Sequence, residues 1–457
     1  MAEKQKRTLS YERGTLVLSG VPRTANDFGV KGLVWDYRIG AYRAAANRYA
    51  ALRRILARMD PPIDDLVAQQ FIHLRSFETI ELRPYQEQAL ESWWQKRCRG
   101  IVVLPTGAGK SWVALAAMAR LKLATLILVP TLVLVAQWVD LLRRVYAGEI
   151  GVFGEGQRTL APVTVATFES AYRKMEQFGS QFQLLVVDEV HHFASGLRCE
   201  ALEECCAPAR LGLTATMPTD IDACRRLETL VGRLTFRQSV VSLAGRYLAP
   251  FEIVRHRLPL TIEEWRSYDQ ANGVFLTAFE EFRGNTRSTN YQLFVKDASQ
   301  TAAGRRALAA FRKSRRIVSC ARNKMDFVAQ LLNRHREDQL LIFTSDNHAA
   351  YGLSRRLLVP ALTCDIGRNE RQEVLDRFGR GELRAIISAR VLNEGVDVPQ
   401  ANVGIIVGGA RGGREHVQRV GRLLRPMPGK RAVVYELVAK DTHEERLSAN
   451  RERSLAS

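Results

Sequence analysis

Cysteine is scarce in this chain, and its scarcity argues against two ways of stabilising a fold. Only seven of the 457 residues are cysteines, and none of them forms a Cys-x-x-Cys pair. Cys199, Cys205 and Cys206 lie close together, but neither their spacing nor the nearby histidines form a zinc-binding pattern. We therefore expect free thiols in a reducing cytoplasm, not a disulfide framework or a zinc site.

Long apolar runs are also missing. The longest apolar stretch, residues 123–136, is interrupted by Thr125, Pro130 and Thr131, whereas a membrane-spanning helix needs roughly 20 apolar residues. The apolar run at residues 16–18 is too short for a signal peptide. The sequence therefore predicts a cytoplasmic protein with no membrane partner.

Acidic residues are few relative to basic ones. The chain has 67 Lys and Arg residues against 48 Asp and Glu residues, which gives a formal net charge of +19. Such an excess attracts polyanions and makes their binding sensitive to salt. A basic, solvated surface without a partner is the alternative. The length accommodates about three domains.

One glycine-rich stretch, residues 104–111 (LPTGAGKS), follows directly on an apolar run at residues 101–104. Gly107 and Gly109 allow the backbone to curl so that consecutive N–H groups point at a polyphosphate. The strict phosphate-loop pattern has a glycine where this chain has Leu104. The stretch nevertheless predicts a strand, a phosphate-binding loop and a helix.

The residues after this loop complete a nucleoside triphosphate site. Lys110 supplies a mobile cation for the phosphates. Ser111 opens a predicted helix over residues 112–120, so the anion meets the positive end of a helix dipole while the hydroxyl holds Mg2+.

Four further apolar strands are predicted in the first half of the chain, and they alternate with helices. Such spacing indicates a parallel sheet, whose ligands lie beyond the carboxyl ends of the strands. Polar residues follow these strands and are therefore site candidates. The predicted strands are residues 126–129, 163–166, 184–187 and 211–213.

Two carboxylates, Asp188 and Glu189, follow the predicted strand at residues 184–187. Burying two carboxylates at the end of a strand costs free energy unless a cation binds there or a proton is transferred there. We expect Asp188 to hold Mg2+ through water and Glu189 to orient or deprotonate the attacking water.

A second set of α/β elements follows. Strands are predicted at residues 340–343, 385–387 and 403–407, and a helix at residues 371–378. Arg422 and Arg425 lie three residues apart, which puts both guanidinium groups on one helix face. From across a cleft they would stabilise charge on a transferred phosphoryl group.

These motifs, in this order, resemble those of superfamily two helicases. Gln86 in LRPYQ matches the Q-type motif, and Thr214 to Thr216 match motif III. DEVHH at residues 188–192 and QRVGRLLRP at residues 418–426 look most like the xeroderma pigmentosum group B (XPB) family, in its compact archaeal and bacterial form. The motif V match is VLNEGVDVP at residues 391–399.

The resemblance implies an α/β fold with two tandem RecA-like domains containing parallel sheets, a small N-terminal α+β domain and a helical, thumb-like insertion. The expected domains are a DNA-binding, damage-recognition-like domain at residues 1–75, helicase domain 1 at residues 76–250, the thumb at residues 259–316 and helicase domain 2 at residues 317–457.

The resemblance also assigns site residues. The expected catalytic residues are Lys110, Asp188, Glu189, Gln418, Arg422 and Arg425. ATP is expected to be bound by Arg83, Gln86, Thr106, Gly107, Ala108, Gly109, Lys110, Ser111, Gly395 and Asp397. Mg2+ is expected on Ser111 and Asp188, and the DNA backbone on Thr131, Thr167, Thr344 and Gly395.

The implied function is an ATP-dependent 3′ to 5′ DNA helicase in repair, located in the cytoplasm with the nucleoid. Family members typically carry Arg-Glu-Asp after motif III, whereas residues 217–220 read Met-Pro-Thr-Asp. A duplex translocase that does not unwind efficiently, driving a nuclease partner, is therefore the alternative. A DNA-binding scaffold with a structural nucleotide site is a second alternative. The motifs do not exclude RNA.

Two basic regions keep two interpretations each. In the N-terminal region a strand is predicted at residues 15–18 and a helix at residues 43–59; its aromatics either stack on bases or form a core. The aromatics are Trp35, Tyr37, Tyr42 and Tyr49.

In the predicted thumb, Thr261 and Glu264 predict a capping box at the start of a helix. A basic run in the same region either contacts DNA or is only a solvated surface. This run is Arg305, Arg306, Arg312, Lys313, Arg315 and Arg316.

Overall fold

The computed structural model divides the chain into two compact units, Met1–Ser239 and Val240–Ser457. No helix in the described residues is long and apolar enough to cross a membrane, and all seven cysteines are free. The described residues are 6–23, 28, 30–60, 62–70, 72, 74, 77–154, 156–288, 290–389, 401–408, 413–424, 427 and 429–456.

The first unit begins with a small, mostly antiparallel sheet of five strands in the order β3-β4-β2-β1-β5. Strand β2 confirms the strand predicted at residues 15–18, and helix α1 packs on the core of the sheet. The elements are β1 Thr8–Glu12, β2 Thr15–Ser19, β3 Val34–Asp36, β4 Ala41–Ala45, α1 Tyr49–Leu56 and β5 Asp64–Asp65.

The helix predicted over residues 43–59 is wrong in its N-terminal turns. Residues 43–45 belong to β4, because β4 pairs with β2 along its length, and α1 begins only at Tyr49. Tyr42 and Tyr49 are fully buried in the core of this sheet, so the core interpretation is right for both. Tyr37 is 73% exposed.

An eight-stranded sheet follows, in the order β13-β6-β12-β11-β7-β10-β8-β9. Its pairs are parallel except β8 with β9, and the four predicted strands are confirmed as β7, β10, β11 and β12. The elements are α2 Pro84–Gln95, β6 Arg99–Val103, α3 Lys110–Leu121, β7 Thr125–Val129, α4 Leu132–Arg143, β8 Ile150–Gly154, β9 Gln157–Thr159, β10 Val163–Thr167, α5 Phe168–Phe178, β11 Leu184–Val187, α6 Glu200–Glu203, β12 Ala209–Thr214, α7 Ile221–Leu230 and β13 Leu234–Arg237.

The second unit is built on a six-stranded parallel sheet in the order β14-β19-β18-β15-β17-β16. The predicted strands β15, β17 and β18 and the helix α14 are confirmed. The elements are α8 Val240–Leu243, β14 Phe251–Leu258, α9 Ile262–Thr286, α10 Tyr291–Ala298, α11 Ala302–Ser319, α12 Arg322–Arg334, β15 Leu340–Phe343, α13 Asn347–Leu357, β16 Ala361–Leu362, α14 Arg368–Gly379, β17 Ala385–Ser388, β18 Val403–Ile406, α15 Gly413–Leu423, β19 Ala432–Ala439 and α16 His443–Ala456.

Helices α9, α10 and α11 are inserted between β14 and β15 of this sheet and have a core of their own. That core is rich in phenylalanine and includes Phe275, Phe294 and Phe311. The capping box predicted from Thr261 and Glu264 is confirmed, since each side chain accepts a hydrogen bond from the other's backbone N–H. The domain bounds stay predictions.

The small N-terminal sheet shares its core with the eight-stranded domain. Cys206, which precedes β12, is buried in the hydrophobic cluster of the small sheet. The hydroxyl of Tyr11 on β1 lies 2.9 Å from the carbonyl oxygen of Met175 and 3.0 Å from that of Glu204. The two sheets therefore belong to one continuous packed body.

Arg210, on β12 next to this joint, is fully buried. Its guanidinium donates hydrogen bonds to backbone carbonyls of the surrounding segments, so it ties these segments together. The acceptors are the carbonyls of Leu202, Cys205, Ala207 and Leu230.

We expect Arg210→Met to lower the thermal midpoint of the first unit by about 6–12 °C. The substitution leaves buried carbonyls without donors, a loss of about 3 kcal/mol, and each kcal/mol shifts the midpoint by about 2–4 °C in a unit of this size. Differential scanning calorimetry measures the shift. Arg225→Met, on the exposed face of α7, is the matched control, and equal midpoints for the two variants would contradict the role of Arg210.

Candidate nucleotide site

Three neighbouring strands bring the predicted motifs of the first unit together. Strands β6, β12 and β11 are adjacent and parallel, so their carboxyl ends lie at one edge of the sheet. The loop at residues 104–111 follows β6, Thr214 ends β12, and Asp188 follows β11. The expected clustering at the strand ends is therefore present.

The glycine-rich loop needs its two glycines for backbone reasons. Gly107 has φ +83° and Gly109 has φ +75°, both in the left-handed region that favours glycine. A Cβ on Gly109 would lie 2.5 Å from Nε2 of Gln86 and 3.2 Å from Cδ1 of Trp112. The loop is thus a tightly supported cradle at the N-terminus of α3, which is suited to a phosphate group.

Two side chains at the start of α2, Tyr85 and Gln86, support this loop by hydrogen bonds to its backbone. Gln86 Nε2 donates to the carbonyl of Ala108 at 3.0 Å, and its Oε1 accepts from the N–H of Arg83 at 2.9 Å. The Tyr85 hydroxyl donates to the same Ala108 carbonyl at 2.7 Å. The structure therefore gives Gln86 a role in supporting the loop, and its predicted contact with ATP stays a prediction. The contact of Tyr85 with the loop was not predicted from the sequence, although its position next to Gln86 in the LRPYQ motif could have indicated it.

A cavity of about 520 Å³ opens beside the loop. Its size is within the range of small-molecule sites. Predicted ligands line it, including Arg83, so it is the candidate space for the base and sugar of a nucleotide. The lining residues outside the segment 78–81 are Arg83, Gln86, Gly107, Gly109, Trp112, Arg144 and Val145.

Asp188 is 6% exposed, and its carboxylate is fixed by two hydrogen bonds. Its Oδ1 accepts from the N–H of Glu189 at 2.9 Å, and its Oδ2 accepts from the indole Nε1 of Trp138 at 3.0 Å. Glu189 has φ +50°, a strained backbone for a residue that is not glycine. This conformation follows β11 directly and begins the 3-10 helix Val190–Ser195.

The electrostatics of the two carboxylates differ. Burial raises the pKa of Asp188, and the negative charge of Glu189 raises it further. Burial alone would also raise the pKa of Glu189, but the positive charge of Lys110 and the neighbouring imidazole of His191 outweigh it and lower that pKa. The surroundings therefore favour the ionised form of Glu189, while burial and the charge of Glu189 disfavour the ionised form of Asp188.

The residues present fit a magnesium nucleotide. The buried Oγ1 of Thr106, inside the loop, has no hydrogen-bond partner among the described residues. No group of three or more His, Cys, Asp or Glu side chains within the described ranges would hold a metal ion alone. Mg2+ is commonly held by one or two carboxylates together with substrate phosphates, which suits Asp188 and Ser111.

His191 connects the carboxylates to the end of β12. Its Nδ1 lies 3.3 Å from Oε2 of Glu189 and 3.0 Å from Oγ1 of Thr214. The Thr214 hydroxyl donates to the carbonyl of Thr216 at 3.0 Å. The predicted motifs II and III are therefore joined by hydrogen bonds.

In the second unit, Gln418 and Arg422 lie on α15 and are each 4% exposed. The neighbouring Arg419, which sequence reasoning missed, holds the helix at the carboxyl ends of three strands. Its guanidinium donates to the carbonyls of Thr344, Ala389 and Gly408. The predicted roles of Gln418 and Arg422 stay predictions, and Gly395, Asp397 and Arg425 lie outside the described residues.

The threonines predicted to contact DNA are found at element ends. Thr131 and Thr167 cap the N-termini of α4 and α5, and their side chains accept hydrogen bonds from Leu134 and Ser170. Thr344 follows β15, and its hydroxyl donates to the carbonyl of Asp346. Their contacts with DNA stay predictions.

Three family models match the chain. Residues 9–67 match the "Xeroderma pigmentosum group B helicase damage recognition domain", residues 79–219 match the "Type III restriction enzyme, res subunit", and residues 306–457 match the "ERCC3/RAD25/XPB C-terminal helicase".

A relative that matches along nearly its whole length decides the family. The "DNA 3'-5' translocase XPB2" of Sulfurisphaera tokodaii is 36% identical over 445 residues, which cover 97% of this chain and 99% of that protein. The chain belongs to the XPB family. The "DNA 3'-5' helicase XPB" of Mycobacterium tuberculosis is 31% identical over 394 residues, 83% of this chain and 64% of that protein. The family predicted from the motifs is confirmed.

Solved structures confirm the fold of this XPB-family chain. The Pyrococcus furiosus Hef helicase domain matches with a TM-score of 0.51 at 20% identity and covers 81% of this chain and 98% of its own. Saccharomyces cerevisiae Dbp5, bound to RNA and ADP BeF3, matches with a TM-score of 0.55 at 13% identity, over 81% of this chain and 87% of its own. The predicted RecA-like α/β architecture with parallel sheets is confirmed.

We expect Gly109→Ala to weaken binding of a fluorescent nucleoside triphosphate at least about tenfold. The new methyl group would collide with Gln86 and force the loop out of its left-handed turn. Gly381→Ala is the matched control, since Gly381 has φ +79° but open space around its Cβ position. Equal affinities for the two variants would show that the loop does not form the phosphate site.

Proposed function

We propose that this XPB-family chain is an ATP-dependent DNA motor that moves 3′ to 5′ and separates strands, and that it acts in DNA repair. The observation that carries the proposal is the pair Asp188 and Glu189, buried beside Lys110 at the same sheet edge as the phosphate-binding loop. The relatives named as 3′ to 5′ translocase and helicase give the direction and the substrate.

The chemistry proposed for the site follows from these side chains. Lys110 neutralises the β and γ phosphates of ATP, and the loop N–H groups orient them. Mg2+, when bound, neutralises phosphate charge, and Ser111 and Asp188 are the side chains that would hold it. Glu189 accepts the proton of the attacking water, because Lys110 and His191 keep it ionised at neutral pH. The proposal keeps the predicted roles of Gly395, Asp397, Gln418, Arg422 and Arg425.

Binding to DNA is proposed through the phosphate backbone. The formal charge of +19 supports attraction to a polyanion, and five cations of the basic run on α11 are exposed. Backbone contacts carry no base code, so binding should not depend on sequence. The exposed cations are Arg305, Arg306, Arg312, Lys313 and Arg316.

One observation favours a duplex translocase as the second candidate. The segment after Thr216 is held against the first unit: Met217 packs on the hydrophobic core, and Asp220 caps α7 by accepting a hydrogen bond from Ala223 at 2.7 Å. Residues 217–220, Met-Pro-Thr-Asp, therefore serve the packing of the first unit at the place where family members typically carry Arg-Glu-Asp. A nuclease partner stays a prediction.

We expect Glu189→Gln to lower ATP hydrolysis by about 10² to 10⁴, the usual contribution of a general base, while ATP binding is retained. Steady-state hydrolysis and equilibrium binding of a fluorescent ATP analogue measure the two effects. Lys110→Ala is the contrasting variant, which should lose both binding and turnover with DNA binding nearly kept. Near-normal turnover in Glu189→Gln would remove Glu189 from this role.

The function itself is tested by ATP hydrolysis at one fixed salt concentration with no nucleic acid, single-stranded DNA, duplex DNA, forked DNA and RNA, together with strand displacement on the fork. Strongest stimulation by single-stranded or forked DNA, with strand separation, is the expected result. Strongest stimulation by duplex without separation would select the translocase. Hydrolysis that no nucleic acid stimulates would select a scaffold, and RNA as the best activator would replace DNA as the substrate.

A further inference from the structure

We infer that Trp138 is a positioning residue, which fixes the carboxylate of Asp188 and couples it to α4. The inference rests on the proposed function, because it takes Asp188 as the carboxylate that holds Mg2+. Trp138 lies 50 residues before Asp188 in the chain and contacts it by a side chain to side chain hydrogen bond.

The contact is specific in its atoms. Trp138 is 2% exposed, and its indole Nε1, which can only donate, lies 3.0 Å from Oδ2 of Asp188. The N–H of Glu189 donates to the other carboxylate oxygen, Oδ1, at 2.9 Å. With one donor on each oxygen, the carboxylate plane cannot rotate freely, and the remaining lone pairs keep a fixed direction.

A buried tryptophan does not need a carboxylate to satisfy its N–H. Trp93, which is also fully buried, donates its Nε1 to the backbone carbonyl of Arg210 at 2.9 Å. Trp138 instead donates to an acidic side chain, and hydrogen bonds to an ionised acceptor are about twice as strong as neutral ones.

The helix that carries Trp138 gives the contact a second consequence. Helix α4 begins at its cap Thr131, and Trp138 lies seven residues further on, two turns away on the same face. Leu132, in the first turn of α4, and the side chain of Thr167 both lie beside Gly154. Through Trp138, helix α4 therefore connects Asp188 with the region of the two threonines that are predicted to contact DNA.

The test compares Trp138→Phe with Trp93→Phe, which removes the same N–H from a buried indole that donates to a backbone carbonyl and not to Asp188. Both variants should be less stable. We expect Trp138→Phe alone to raise the Mg2+ concentration needed for half-maximal ATP hydrolysis about tenfold, the usual effect of removing a hydrogen bond to a charged group, and to reduce stimulation by DNA. An equal Mg2+ requirement in the two variants would overturn the inference.

Fluorine NMR of the unsubstituted protein, labelled with 5-fluorotryptophan, tests the inference without measuring turnover. The chain has six tryptophans, and substituting the other five one at a time assigns the Trp138 fluorine resonance by elimination. We expect this resonance to shift when Mg2+ is added in the presence of a non-hydrolysable ATP analogue, and again when single-stranded DNA is added. A resonance that moves with neither would also overturn the inference.

Asp188→Asn separates this inference from the proposed function. It should raise the Mg2+ requirement more than Trp138→Phe does, and adding Trp138→Phe to it should have little further effect, as expected for one shared interaction. If Asp188→Asn leaves the Mg2+ requirement unchanged, the assignment of Asp188 fails and the inference fails with it. If Asp188→Asn impairs the response while Trp138→Phe behaves like Trp93→Phe, only the inference fails.

Discussion

Two buried carboxylates at the end of an apolar strand impose the main constraint on the first unit. Every residue of β11 is buried. Asp188, which follows it, is 6% exposed as a residue, and the side chain of Glu189 is 14% exposed. Removing two charges from water costs several kcal/mol for each ion, so their surroundings must supply donors and cations. Lys110, Trp138 and His191 do so from the loop after β6, the helix α4 and the segment after β11. Thr214, at the end of β12, contacts His191 in turn.

The same strand order also links the small N-terminal sheet to the nucleotide site. Strand β12 has Arg210 near its start, where the two sheets share their core, and Thr214 at its end, where His191 binds. A strand rises about 3.3 Å per residue and is stiff when paired on both sides. The N-terminal sheet, packed around Cys206, is therefore held at a fixed distance from the phosphate-binding loop, and the first unit presents both as one body.

Much of this arrangement could be predicted from the sequence, and the reason is the buried parallel sheet. Strands buried on both faces are continuous apolar runs, so β7, β10, β11 and β15 were recognisable, as were the polar residues at their ends. Residues 43–45 could not be assigned correctly, because their pairing with β2 is a tertiary contact that overrides local helix preference. Strand β14 was also missed, since residues 251–258 form neither a continuous apolar run nor a strict alternation: Arg255, His256 and Arg257 follow one another in a strand at the edge of the sheet.

The contacts that complete the site were the least predictable. Trp138 and Asp188 meet across 50 residues of chain, and Tyr85 and Ala108 across 23, so no local spacing indicates them.

The sequence also does not distinguish buried arginines from exposed ones. A motif or a charge count treats Arg419 and Arg210 as cations available to a polyanion, yet both donate to backbone carbonyls in the interior. Buried guanidinium groups of this kind stabilise the fold, and attraction to a phosphate backbone must come from exposed cations such as those on α11. The positive charge of the chain therefore serves two separate purposes, which only the burial of each side chain distinguishes.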